Sequence, residues 1–94
     1  MSEEEIVGKK AVALRYEKEK DEAPRVGAKG EGYLASAIER LARDAGVPVV
    51  KDEVLVQYLG ALKLYEEIPP FLYQAVAEIL AFVYRLDREK RKGW

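Results

Sequence analysis

The chain has 94 residues, 49% of them hydrophobic, with 16 basic and 17 acidic side chains and neither histidine nor cysteine. That length fits one domain with a single core, and the missing cysteine excludes disulfide scaffolds, thiolate metal sites and thiol catalysis. The near-balanced charge excludes a global field of the kind that draws nucleic acid or a membrane surface.

Asparagine and threonine are absent as well, and glutamine occurs only at Gln57 and Gln74. Few amides and many ion-pair formers make a composition of thermophile type. The acidic start Met-Ser-Glu-Glu-Glu is unlike a signal peptide, and no apolar run reaches the roughly 18 residues a membrane span needs. The expectation is therefore a cytoplasmic domain over residues 1–94, with 1–9 as a flexible lead-in and 86–94 as a basic tail.

In chain order, Ala11 to Tyr16 places Val12, Leu14 and Tyr16 on one face and small alanines on the other, the pattern of a central strand. Glu17 to Glu22 carries only charge and reads as a solvated turn. Ala23-Pro24 ends it, because proline restricts the residue before it to extended geometry. A second strand follows over Arg25 to Lys29. Lys29-Gly30-Glu31-Gly32 lacks the spacing and the Ser or Thr of a phosphate loop, so its glycines read as a strand-to-helix junction.

Leu34, Ala37, Ile38, Leu41, Ala42 and Ala45 recur at helical spacing, and Gly46 suits a left-handed stop. Val47 to Val50 is β-branched and reads as a third strand, so residues 25–50 would form a right-handed βαβ unit with parallel strands. Asp52 is placed to cap a helix whose buried stripe is Leu55, Tyr58, Leu59 and Leu62.

Pro69 and Pro70 suit the entry of the last helix. At about 100° per residue, Leu72, Ala75, Val76, Ile79, Leu80, Val83 and Leu86 share one stripe, with Gln74, Glu78 and Arg85 on a narrow polar strip. Tyr73, Ala77, Ala81 and Tyr84 form a second, semi-apolar flank. Either a neighbouring element buries that flank or it is a docking groove for an apolar peptide. The expected fold is α/β, a small mixed sheet of about three to four strands surrounded by about three to four helices.

The chemistry-bearing residues are few. Ser36 has no base, Glu66 and Glu67 read as solvated, and no cofactor or metal site is expected, so the chain is not read as an enzyme. A nucleic-acid or ribosome-associated role for Lys29, Arg85, Arg88, Lys90, Arg91 and Lys92 is the alternative. Against it, the charge is confined mainly to one tail, which equally suits a helix C-terminus.

Five blocks in order carry a resemblance: Ala11 to Tyr16, Ala23 to Gly30, Gly46 to Val50, Ile68-Pro69, and Tyr73 to Tyr84. Together they closely resemble the cytoplasmic domain of the FlhB-type export-switch proteins of flagellar and type III secretion systems. Members of that family are usually longer, with an N-terminal membrane domain, and cleave themselves at an Asn-Pro-Thr-His motif. Its four positions align with Ile6, Val7, Gly8 and Lys9. Family cleavage proceeds by cyclisation of the asparagine side chain, so the resemblance implies a stand-alone relative that does not cleave.

The resemblance further implies a docking site for export substrates or a length-control partner at Ala23, Pro24, Ala77 and Leu80, with Tyr73 and Tyr84 on its flank. Ala77 and Leu80 lie about 60° apart on the helical wheel. The implied partners are export substrates and export-apparatus proteins, met by a monomer at the periphery of the membrane export apparatus, without nucleic acid or membrane insertion. The segment between Leu59 and Ile68 departs from the family, which usually carries a glycine turn there.

Overall fold

The computed structural model describes residues 8–92, with side chains described to Leu86. The alternating stretch around Val12 and Leu14 forms β1 (Lys10–Arg15), and β2 (Arg25–Glu31) returns beside it. The two pair antiparallel, Lys10 opposite Glu31 and Arg15 opposite Arg25, with a register shift between Ala13 and Leu14 that leaves Gly27 as the extra residue. The charged run between them is an ordered turn. The Lys20 and Asp21 amides donate to the Glu17 carbonyl at 3.0 and 2.8 Å, and the Glu17 amide donates to Asp21 Oδ2 at 2.9 Å.

Gly32 turns the chain at φ 61° into α1 (Tyr33–Asp44), and a Cβ at Gly30 would lie 2.5 Å from Leu34 Cγ, so side-chain-free backbone is required where helix and strand meet. The helix face differs from the expected stripe. Ala35 is fully buried and Ile38, Glu39 and Ala42 are partly covered, whereas Leu34 and Leu41 are 58% and 64% exposed. The small Ala35 lets the helix approach the sheet along a line rotated from the one the leucines define.

The expected third strand does not form. Gly46 adopts φ 75°, and the Gly46 and Val47 amides donate to the Arg43 and Ala42 carbonyls at 3.0 and 2.8 Å, which closes the helix end in a Schellman motif. Val47 has thereby used its amide and Pro48 has none, so half of Val47–Val50 cannot donate to a ladder. Among the described residues the sheet is two-stranded and antiparallel, and no parallel βαβ unit is present. The α/β class stands with fewer strands than the pattern suggested.

The other edge of β2 is met by residues 65–68. The Val26 amide donates to the Glu66 carbonyl at 3.0 Å, the Tyr65 amide to Val26 at 2.7 Å and the Ile68 amide to Pro24 at 2.9 Å, with an isolated bridge between Arg25 and Glu67. Tyr65 takes φ 69° to make this turn.

Asp52 caps α2 (Leu55–Gly60) as expected, its Oδ1 accepting from the Val54 and Leu55 amides at 3.1 and 2.9 Å. Leu55 and Leu59 are buried there, but Tyr58 stays half exposed and stacks edge-on against Phe71 with ring centroids 5.9 Å apart. A 3₁₀ turn (Pro70–Leu72) then leads into α3 (Tyr73–Lys92). The expected tail over 86–94 is thus helical to Lys92, and Trp94 lies outside the described residues. The core gathers Ala23, Leu55, Leu59, Ile68, Leu72 and Val76, with Val12, Leu14, Leu62, Ala75, Ile79 and Leu80 packed against it.

A tyrosine in the left-handed region is disfavoured by roughly 1–2 kcal/mol, and glycine there loses part of that gain to chain entropy. Tyr65→Gly should therefore raise stability by up to about 1 kcal/mol. A urea midpoint that falls would show that the exposed ring contributes more than the backbone conformation costs.

Candidate docking site

The site begins with how α3 is held. Leu72 and Val76 are buried in the core, which directs Ala75, Ile79 and Leu80 onto it as partly covered neighbours. The stripe read from the sequence is therefore the face that packs. Around the helix from it, Tyr73 and Tyr84 are 46% and 55% exposed, and Ala77 and Ala81 are exposed between them. No described element covers that flank, so the reading in which a neighbouring element buries it does not hold.

The four residues implied by the resemblance divide into two kinds. Ala23 is 2% exposed and sits in the same core cluster that Leu80 packs against, and Pro24 is buried with its carbonyl accepting from Ile68. Ala77 is exposed. Ala23 and Pro24 thus supply almost no contact surface. Ala23 belongs to the core against which Leu80 packs, while Ala77, Tyr73 and Tyr84 present the accessible area.

Of the cleavage-motif positions, Ile6 and Val7 lie outside the described residues and Gly8 is in an exposed turn. Lys9 is fixed. Its ammonium pairs with Glu39, whose other oxygen binds Arg43 Nη2 at 2.6 Å, and its carbonyl accepts from the Gly32 amide at 2.8 Å. Lys9 therefore ties the start of β1 to α1.

The hydrogen bond from Lys9 holds the Glu39 carboxyl below its ordinary range, against the opposing effect of partial burial, with Lys9 and Arg43 charge adding to it. The Asp21 carboxyl is lowered chiefly by the backbone hydrogen bond from Glu17, with Arg25 assisting. Of the candidate nucleic-acid residues, Lys29 stands apart from the group at the end of α3. Lys29 Nζ donates to the Gly60 and Leu62 carbonyls at 3.3 and 2.6 Å, at the C-terminal end of α2. Arg85 is exposed on α3, and the side chains of Arg88, Lys90, Arg91 and Lys92 lie outside those described. Among the described residues no cluster of potential metal ligands occurs and no helix is long and apolar enough to cross a membrane.

With that geometry in hand, residues 9–83 match the model of the FlhB HrpN YscU SpaS family. The uncharacterized protein YlqH of Bacillus subtilis is 48% identical over 79 residues, which cover 84% of this chain and 85% of YlqH. The flagellar biosynthetic protein FlhB of Aquifex aeolicus is 46% identical over 78% of this chain but only 21% of its own length. Among solved structures, the cytoplasmic domain of FlhB from Shewanella putrefaciens aligns at TM-score 0.80 and 35% identity, covering 89% of this chain and 69% of that one. The PscU C-terminal domain aligns at 0.72 and 31%, covering 78% and 94%.

A carboxyl whose folded pKa is depressed contributes stability above its unfolded pKa and loses it as pH falls through the folded value. Glu39→Gln should accordingly destabilise the domain at neutral pH and leave stability unchanged once acid has protonated the native carboxyl. An equal loss at both ends of a pH series of denaturation midpoints would contradict the ion-pair account.

Proposed function

Because this chain belongs to the FlhB HrpN YscU SpaS family, we propose that it acts in the flagellar or type III protein export machinery as a domain that docks exported segments without cleaving itself. The observation that carries the docking reading is the uncovered flank of α3, where Ala77 lies between half-exposed Tyr73 and Tyr84 and next to Leu80. Small side chains beside aromatic ones leave room for one apolar side chain of an extended or helical segment. Burying one such side chain contributes roughly 1.5–3 kcal/mol, so binding is weak and each cargo is readily released. The non-cleaving part rests on composition: the chain has no asparagine, so the side-chain amide that attacks the backbone in the family is missing.

Two measurements test the two parts. Ala77→Glu places a charge in the centre of the flank at a position that is already exposed, so it should weaken binding of an export-substrate peptide at least about tenfold while leaving the unfolding midpoint within about 0.5 kcal/mol of the parent. Unchanged affinity removes the flank from the proposal, and affinity that collapses with added salt would favour phosphate or ion-pair recognition over apolar docking. The intact mass of the purified chain should stay constant through prolonged incubation; fragments split near Gly8 would contradict the non-cleaving reading.

A further inference from the structure

The side of α3 opposite Ala77 and Tyr84 carries a second surface. The segment after α1 passes beside the helix there and leaves an open groove of about 230 Å³, lined by Val50, Asp52, Ala75, Glu78, Ile79 and Phe82. Ala75 and Ile79 form the floor, because both pack inward on the core. Val50 and Phe82 form the walls and are 41% and 43% exposed.

Both charged residues of the lining are acidic. Asp52 uses Oδ1 to cap α2, and its second oxygen has no protein partner among the described residues. Glu78 Oε1 receives only a long hydrogen bond from Gln74 Nε2 at 3.4 Å, which leaves its other oxygen equally open. The neighbouring cation, Lys51, lies 3.9 Å from Glu53 rather than against either carboxylate. An apolar trough with carboxylates and no cation in its lining favours a cationic rim on whatever fills it.

We infer that this groove docks a partner segment in which an aliphatic or aromatic anchor is flanked by lysine or arginine. The anchor rests on Ala75 and Ile79 between Val50 and Phe82, and the flanking cations reach the open oxygens of Asp52 and Glu78. A second copy presenting this same groove across a two-fold axis would set acidic side chains against acidic ones, so the charge pattern disfavours a groove-to-groove dimer. This surface is separate from the Ala77 flank, and either can fail without the other.

The test uses the full chain, isotope-labelled, with two short peptides that share a central Leu-Phe anchor, one flanked by lysines and the other by glutamates. The lysine-flanked peptide should shift the resonances of Val50, Ala75, Ile79 and Phe82 and bind about tenfold more tightly at low salt than its acidic counterpart, a preference that narrows as salt is added. Glu78→Gln should remove about threefold of that preference, consistent with an exposed pair. Phe82→Ala should weaken both peptides, and Ala77→Glu should leave the groove shifts in place. Equal affinity for the two peptides, shifts confined to the Ala77 flank, or groove shifts that grow with protein concentration in the absence of peptide would each overturn the assignment, the last by showing a second copy in the groove.

Discussion

The structure depends on one packing contact: Leu72 of the 3₁₀ turn and Val76 of α3 seated among Ala23, Leu55, Leu59 and Ile68. Those six residues come from five separate stretches of chain, so the contact fixes the post-turn segment, α2, the 65–68 connection, the 3₁₀ turn and α3 together. In a domain this small the number of fully buried side chains is low, and each carries a correspondingly large share of the stability. The same contact decides what remains outside. A helix clamped along a single stripe must present a flank on either side of it, and here one flank bears Ala77 and Tyr84 while the other opens on Phe82 and Glu78.

A second constraint is the completion of β2. Two strands alone are marginal in water, and the chain supports them from both faces and one edge. Residues 65–68 bond to Pro24 and Val26, Lys9 joins β1 to α1 through Glu39, and Lys29 satisfies carbonyls at the end of α2. Each of these joins elements that are far apart in sequence. Tyr65 at positive φ is the conformational strain accepted for the edge contact.

Much of this was legible in the residues. The stripe from Leu72 to Leu86, the Asp52 cap, the Gly46 stop and the first two strands follow from periodicity and capping chemistry, and the structure reproduces them, except that β1, read as a central strand, lies at an edge of the two-stranded sheet. The third strand was misread because Val47 to Val50 has strand propensity, while the competing demand of the α1 terminus on the Val47 amide is invisible without the Schellman geometry. The α1 face was misread for a related reason: leucine spacing marked the apolar stripe, but the fit of small Ala35 against the sheet decided the rotation. Of the candidate site, Ala77, Tyr73 and Tyr84 were found by pattern as a semi-apolar flank, and its exposure needed the fold. The buried state of Ala23 and Pro24 needed the fold, and so did the groove at Val50 and Phe82, since its two walls are distant in sequence.

The last helix is held by its locked inner stripe, and the proposed docking surfaces lie on its sides. Amide hydrogen exchange of the free domain tests that claim most directly. Amides from Val76 to Leu80 should exchange only through the same global opening that releases Leu59 and Val26, with matching free energies. If those amides instead exchange through a lower-energy opening of α3 alone, the helix is not clamped by its stripe and the flanks are not preformed surfaces.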